Sequence, residues 1–200
     1  LKNWKAGIAG PVKHASIFDG EEYDAREPMG FECVDKLSTP EENTEFSGDI
    51  LPSDGAEVYL RTDLALAPIR AYIWKNIEGA KENEFGKVII AREFASGKEM
   101  TVSPGETLVV DFGQNCAGVP SFVFKAAEGT VLTCLPAELL NDGNGAKIRG
   151  MDGPEGSCHR ENLRIPHTGI RLDYTFAAGD NYVTYYPHCT FFGYRYVSIT

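Results

Sequence analysis

Cysteine and histidine, the usual ligands of zinc, stand next to each other twice in this sequence, at Cys158–His159 and His188–Cys189. Neighbouring residues on a strand point to opposite faces, so neither pair can chelate one ion, and no metal ligand is assigned. The loop segments "NDGNG" (141–145) and "DGPEG" (152–156) offer oxygen atoms that would suit calcium. Their spacing does not fit an EF-hand, and calcium is the one cofactor left open.

Two other motifs have the residue types of a phosphoryl-transfer site. "DFG" at 111–113 and "HRENL" at 159–163 contain residues found in the magnesium-binding and catalytic loops of protein kinases. In kinases the His-containing element comes first, whereas here it comes second, and the glycine-rich phosphate loop is missing. The sequence therefore excludes a protein kinase.

Paired carboxylates are a third source of chemistry, since two facing acids can hydrolyse a glycosidic bond. Four acids lie near predicted strand ends or in loops: Asp111, Glu138, Glu161 and Asp173. The alternative is structural, with these acids accepting backbone hydrogen bonds or pairing with Arg149, Arg164 or Arg195. Spacing along the chain does not show which acids face each other, and no catalytic residue is assigned.

The segment "DFGQNCAGVP" (111–120) follows the apolar run "TLVV", which predicts a buried strand ending in a turn. We expect Gly113 and Gly118 to permit backbone conformations closed to other residues, while Asp111, Gln114 and Asn115 supply side-chain hydrogen bonds. The "FFGYRYV" run at 191–197, which contains Gly193, would present Arg195 to Glu138 or Asp173 as a pair joining two strands.

These side chains must be positioned by strands. From residue 57 onward, apolar and polar residues alternate in short runs rich in β-branched and aromatic residues, among them "EVYLR", "AYIWKNI", "KVIIAREF", "IRLDYTFA" and "GYRYVSIT". No segment shows three turns of helical periodicity. The pattern predicts an all-β fold, an antiparallel β-sandwich of concanavalin-like or jelly-roll type, with short helices only in loops.

Two regions, residues 1–56 and the loop 140–163, do not follow this strand pattern. Residues 1–56 are predicted to form opening strands and an acidic surface connection packed on the main sandwich of residues 57–200. The loop "AAGDN" (177–181) is predicted to close a hairpin. The glycine-rich loop 140–163 is longer than most loops in compact domains, and such loops often carry function.

Composition excludes several classes of partner. The net charge of −10 opposes binding to nucleic acids and to anionic membrane surfaces, and no apolar run is long enough for a membrane helix. Five cysteines, an odd number, do not make a complete disulfide framework. Because the chain starts without Met and ends in a strand-like run, we expect a fragment of a longer polypeptide.

Four motifs in order resemble one family, the bacterial α-L-rhamnosidases of glycoside hydrolase family 78. They are "GPVKHASIFDGEEYDAREP" near the start, "VVDFGQNCAGVPSFVFKAAEGTVLTCLPAELLNDG", "ENLR" followed by "DYTF", and "YYPHCTFFGYRYVSI". The sequence departs from the family pattern in having no Trp after "YDAR" and in carrying Phe192 in place of a usual His.

The resemblance implies a concanavalin-like β-sandwich that precedes an (α/α)6 catalytic barrel lying beyond residue 200. The parent enzyme would hydrolyse terminal α-L-rhamnosides with an inverting pair of carboxylates in that barrel, and this chain alone would be inactive. Its partners would be the catalytic barrel and a rhamnose-containing carbohydrate. A role in polysaccharide degradation favours the periplasm or the exterior, although some members of the family are cytoplasmic.

Two alternatives stay open at this point. The sandwich could itself be a carbohydrate-binding module, with Trp74, Asn162, Arg164 and Tyr194 as the residues that contact sugar, because aromatic rings stack on the C–H faces of sugars. The aromatic run "YVTYYPHCTFFGYRYV" (182–197) supports this idea, although at least half of such a strand packs in a core. The second alternative is an independent enzyme built on the sandwich.

Overall fold

The computed structural model of the chain describes residues 5, 10–28, 38–39, 48–49, 51–52, 54–95, 97–163, 169–179 and 181–200. The chain divides into two compact units, one formed by residues 1–11 and 27–65 and the other by residues 12–26 and 66–200. In the first unit the described part of residues 54–65 is irregular, apart from one 3-10 turn at Thr62–Leu64. The predicted strand "EVYLR" is therefore wrong: residues 57–61 are exposed and pair with no strand in the described structure.

The second unit is built from strands, and the prediction of an all-β fold dominated by antiparallel pairing is confirmed. The part of the chain that the structure describes contains no helix long and apolar enough to cross a membrane. The strands of the described residues are β1 Val12–Ser16, β2 Gly20–Asp24, β3 Arg70–Glu78, β4 Lys87–Phe94, β5 Thr107–Gly118, β6 Phe122–Phe124, β7 Val131–Ala137, β8 Leu139–Leu140, β9 Cys158–His159, β10 Arg171–Thr175, β11 Val183–Tyr185 and β12 Phe192–Ile199.

Eight of these strands form one large sheet in the order β1-β2-β10-β7-β12-β5-β3-β4. All neighbours are antiparallel except β2 and β10, which run parallel. The β1–β2 hairpin comes from the N-terminal segment by sequence, yet it forms one edge of the main sheet. The prediction that the rest of residues 1–56 packs on the sandwich stays a prediction.

The sheet buries apolar side chains on both of its faces. Along β5, Leu108 and Val110 belong to one core cluster and Val109 to another, as the alternation of side chains on a strand requires. The first cluster also contains Ile73 and Leu172, which are at most 1% exposed. These buried positions are the β-branched and leucine residues whose alternation predicts strands.

Two short strand pairs contribute to the cores on the two faces. β6 and β11 pair with each other, and Phe124 and Tyr185 on them pack with Tyr174 of β10 in an aromatic cluster. β8 and β9 form the second pair, and Leu140 and Cys158 on them pack against the cluster that contains Val109.

The predicted hairpin at residues 177–181 is wrong. β10, which precedes this loop, pairs with β2 and β7, while β11, which follows it, pairs with β6. Burial of Leu172 and Tyr174 between neighbouring strands of the large sheet outweighs the local tendency of a glycine-containing loop to join adjacent strands.

Candidate functional site

The "DFGQN" segment forms a bulge inside a strand, so the predicted turn after "TLVV" is wrong. β5 continues to Gly118 and pairs with β12, with Asp111 opposite Tyr196 and Cys116 opposite Tyr194. The four residues 112–115 of β5 therefore lie opposite the single residue Arg195 of β12. A bulge of this kind bends the strand and redirects its side chains.

Gly113 makes the bulge possible. Its φ is +82°, a conformation that side chains with a Cβ rarely adopt, and its backbone N–H donates to Asp111 Oδ1 at 2.7 Å. The matching expectation for Gly118 is wrong, since Gly118 has no positive φ and an added Cβ would lie 3.6 Å from Cys116 Sγ, an ordinary contact.

Arg195 pairs with Asp111 across the bulge. Its Nε and Nη2 donate to the two carboxylate oxygens of Asp111 at 2.8 and 3.0 Å, a bidentate contact between β12 and β5. The predicted partners Glu138 and Asp173 are therefore wrong. The bulge in β5 brings the carboxylate of Asp111, on the same strand, toward Arg195. The linear sequence does not reveal this contact.

The pKa of Asp111 reflects this environment. Burial alone would raise it, but hydrogen bonds from Arg195 and Gly113 outweigh burial, and the pKa lies below the ordinary value of 3.8. A carboxyl with a lowered folded-state pKa stabilises the fold above its unfolded pKa and loses that contribution as the pH falls through the folded value.

We expect Asp111→Ala to destabilise the domain by about 1–2 kcal/mol at pH 7, after allowance for the partial exposure of Arg195. The difference from wild type should begin to shrink as the pH falls below about 4, where the carboxyl becomes protonated in the unfolded chain. It should be lost once the pH is below the lower pKa of the folded state, where the carboxyl is protonated in both states. Urea unfolding at a series of pH values measures this. Asp63→Ala is the control, since the same bidentate pairing with Arg61 is solvent-exposed there and its loss should leave stability unchanged. A pH-independent effect of Asp111→Ala would contradict the assignment.

Glu138 links the bulge to the end of the long loop. Its two carboxylate oxygens accept hydrogen bonds from Asn115 Nδ2 at 2.9 Å and from Asn162 Nδ2 at 3.0 Å. Gly193 lies beside these hydrogen bonds, and a Cβ added to it would lie 3.5 Å from Glu138 Oε1. Residues from four segments of the chain meet here, and both oxygens of Glu138 are used to join them.

Asp173 lies elsewhere on the sheet and uses other partners. Thr133 Oγ1 and Arg171 Nε each approach its carboxylate to 2.7 Å. It also lines a 260 Å³ pocket that contains His14 and Glu22 on β1 and β2. Three of the four acids considered from the sequence, Asp111, Glu138 and Asp173, are thus engaged in separate structural contacts. The predicted bonding role of the exposed Gln114 stays a prediction.

Of the four residues predicted to contact sugar, the structure describes Trp74, Asn162 and Tyr194, and these three do not form one surface. Tyr194 is 4% exposed and packs edge-on against Phe112, at 5.5 Å between ring centroids, so its ring is not presented to a ligand. Trp74 packs against the core cluster on the opposite face, and its Nε1 is buried without a hydrogen-bond partner. Asn162 is exposed but bound to Glu138, and Arg164 lies outside the described residues.

The long loop 140–163 is organised around Asp152, which the sequence analysis missed. Asp152 Oδ2 accepts from the backbone N–H groups of Arg160 and Glu161 at 2.7 and 2.8 Å, and Oδ1 contacts Asn141 Nδ2 and His159 Nδ1. Burial alone would raise the pKa of Asp152, but these bonds outweigh burial and lower it. The many acids and glycines of the loop gave no signal that singled this residue out.

A second buried acid, Glu21, was also missed. It accepts hydrogen bonds from Tyr185 Oη at 2.9 Å, from His188 N and Nδ1 at 2.7 and 3.0 Å, and from Cys189 N at 3.2 Å. The strand "GEEYD" contains the only available signal, the period of two that places Glu21 on the same face as Tyr23.

Within the described residues, no group of three or more His, Cys, Asp or Glu side chains is arranged to hold a metal ion. The described cysteines, Cys116, Cys134, Cys158 and Cys189, are free thiols. Burial raises the pKa of the Cys158 thiol to about 12, so it is protonated at neutral pH and unreactive.

Comparison with known proteins identifies the relatives of this fold. The profile of the bacterial alpha-L-rhamnosidase concanavalin-like domain matches residues 100–200. An alpha-L-rhamnosidase of Alteromonas sp. (strain LOR) is 28% identical over 199 residues, which are 99% of this chain and 17% of that protein. One from Streptomyces avermitilis is 27% identical over 198 residues, 99% of this chain and 15% of that protein.

A solved structure agrees with these matches. The Streptomyces avermitilis alpha-L-rhamnosidase complexed with L-rhamnose superposes with a TM-score of 0.50 and 25% identity, over 96% of this chain and 15% of that one. The chain spans 15–17% of the length of the curated relatives it matches. Since the profile covers the second half of the chain, including β5, the bulge and β12, the chain belongs to the bacterial alpha-L-rhamnosidase concanavalin-like domain family.

Proposed function

We propose that this chain is the non-catalytic β-sandwich part of an α-L-rhamnosidase, and that it supports a separate catalytic domain of the same polypeptide. The observation that carries the proposal is the match itself: nearly the whole chain aligns with proteins named alpha-L-rhamnosidase, yet it spans only 15–17% of their length. The parent enzyme would hydrolyse terminal α-L-rhamnosides, and a role in polysaccharide degradation favours the periplasm or the exterior.

The hydrogen bonds of the acids support a structural role. A general acid or base must reach the substrate and exchange a proton with it. Both oxygens of Glu138 accept from asparagine side chains, and both oxygens of Asp111 accept from Arg195. Through these hydrogen bonds the two acids join β5, β12 and the loop after β9. Such contacts are expected of a domain that serves as a rigid support.

A substitution in the complete polypeptide tests this role. Glu138→Gln keeps the size of the side chain and removes the acid, so we expect kcat for an aryl α-L-rhamnoside to stay within about threefold of wild type. Loss of a catalytic acid or base lowers the rate by a factor of roughly 10² to 10⁴. Asp173→Asn is the matched control on another part of the sheet. A loss of 10² or more in kcat for Glu138→Gln, with the fold intact by circular dichroism, would contradict the proposal.

A further inference from the structure

The segment "NDGNG" (141–145) contains a tight turn that the proposed function does not use. Asn144 and Gly145 form its centre, with φ of +52° and +79°, and Ala146 N donates to Gly143 O at 3.0 Å. Positive φ at both central residues is the pattern of a type I′ turn, for which Asn-Gly is a preferred pair. Asn144 is the only asparagine in the sequence that precedes a glycine. The turn therefore places a side-chain amide next to a backbone nitrogen that no Cβ crowds.

The two groups that could react with each other are both unengaged. The side chain of Asn144 is exposed, and within the described residues neither that side chain nor the N–H of Gly145 makes a hydrogen bond. Asparagine is a thermolabile residue, because the backbone nitrogen of the next residue can attack its side-chain amide carbon. Glycine permits the widest range of backbone rotation. Rotation that opens the turn can therefore bring Gly145 N to Asn144 Cγ.

The same turn docks the long loop on the hairpin formed by β3 and β4. Phe85 N donates to Gly145 O, and Lys147 N donates to Asn83 O at 3.1 Å. A Cβ built on Gly145 would lie 2.7 Å from the backbone oxygen of Gly86, so the two backbones are in direct contact. A main chain lengthened next to Gly145 cannot keep these contacts.

We propose that Asn144–Gly145 is a site of non-enzymatic modification that releases the loop from the hairpin. Gly145 N forms a bond to Asn144 Cγ while the bond from Cγ to Nδ2 breaks, and the amide leaves as ammonia with the proton of Gly145 N. Water then opens the resulting five-membered imide. Opening at the side-chain carbonyl gives aspartate, and opening at the backbone carbonyl gives isoaspartate. Water is the only other reactant.

The two products should differ in their effect on the loop. Isoaspartate inserts one methylene group into the main chain before Gly145, so Gly145 can no longer hold its place against Gly86. The hydrogen bonds donated by Phe85 N and Lys147 N should then open to solvent. Aspartate leaves the main chain unchanged and adds only a negative charge in an exposed turn, so the docking should persist.

The test is incubation of the complete polypeptide in mildly alkaline buffer at physiological temperature, followed by peptide mass spectrometry. We expect Asn144 to convert to the acid at least about tenfold faster than any other asparagine of this chain. Fragmentation distinguishes isoaspartate from aspartate. In the isoaspartate fraction, hydrogen-exchange protection of the Phe85 and Lys147 amides should fall about tenfold or more, while that of Thr133, bonded to Thr200 in the main sheet, should not change.

Two variants serve as controls. Asn144→Gly keeps the positive φ accessible and removes the reacting amide, so it should retain its mass and its protection on incubation. Freshly prepared Asn144→Asp carries the charge without the extra methylene and should also retain protection.

Three results would overturn the proposal. They are conversion of Asn144 no faster than that of the other asparagines, unchanged protection of Phe85 and Lys147 in the isoaspartate fraction, or an equal loss of protection in incubated Asn144→Gly. The inference does not rest on the proposed function, and none of these outcomes alters the kinetic test of Glu138→Gln.

Discussion

Replacing Gly20 by alanine should destabilise the second unit by roughly 3 kcal/mol or more and release the β1–β2 hairpin from the sheet. Gly20 has a φ of +123°, and a Cβ built on it would lie 1.8 Å from the backbone oxygen of Arg171. That oxygen belongs to β10, the parallel partner of β2, so the two strands would have to separate. Separation also pulls Glu21 away from Tyr185 and His188.

Gly179→Ala separates the two causes of this effect. Gly179 also has a positive φ, +142°, but an added Cβ would have no atom within 4 Å. We expect it to cost only backbone strain, about 1 kcal/mol. Urea unfolding compares the two variants, and hydrogen exchange at β2 reports release of the hairpin. Equal destabilisation by both variants would show that the close approach of β2 and β10 is unimportant.

Ile73→Ala should lower the free energy of unfolding by about 3 kcal/mol, which is the second large effect that we expect. Ile73 is fully buried in the core cluster that also contains Leu108 and Val110 of the neighbouring β5. Truncation removes three carbon atoms from contact with these side chains and leaves a cavity that a sheet with neighbours on both sides cannot close.

Ile77→Ala is the matched control, since it is the same change on the same strand at a residue that is 42% exposed. We expect a cost below about 1 kcal/mol, because little of its surface leaves water on folding. Denaturant unfolding measures both variants. If Ile77→Ala costs as much as Ile73→Ala, the assignment of this face of β3 to the core is incorrect.

Local patterns predicted the strands well and their connections poorly. Alternation in "IRLDYTF" predicts β10 because Leu172 and Tyr174 are buried on one face. The partners of β10, however, are β2 and β7, which are distant in sequence, and nothing in the 177–181 loop indicates them. The β5 bulge is hidden for the same reason, because it exists only relative to the register with β12.

The candidate site was predicted in its residue types and missed in its pairings. The sequence indicates that Asp111, Glu138 and Arg195 have structural roles, but their partners depend on how far the bulge displaces each side chain. The sequence does not indicate that the acids Glu21 and Asp152 are buried, since acids in strands and loops are usually exposed. Only the folded chain shows that backbone N–H groups and tyrosine or asparagine side chains converge on them.

The most direct measurement is turnover of p-nitrophenyl α-L-rhamnoside by the purified 200-residue chain, with its fold confirmed by circular dichroism and its purity by mass spectrometry. Our account predicts no hydrolysis above the rate without protein, because Asp111, Glu138 and Asp173 are engaged in contacts that hold strands and loops together. Hydrolysis that copurifies with the chain and is abolished by Glu138→Gln or Asp111→Asn would contradict it.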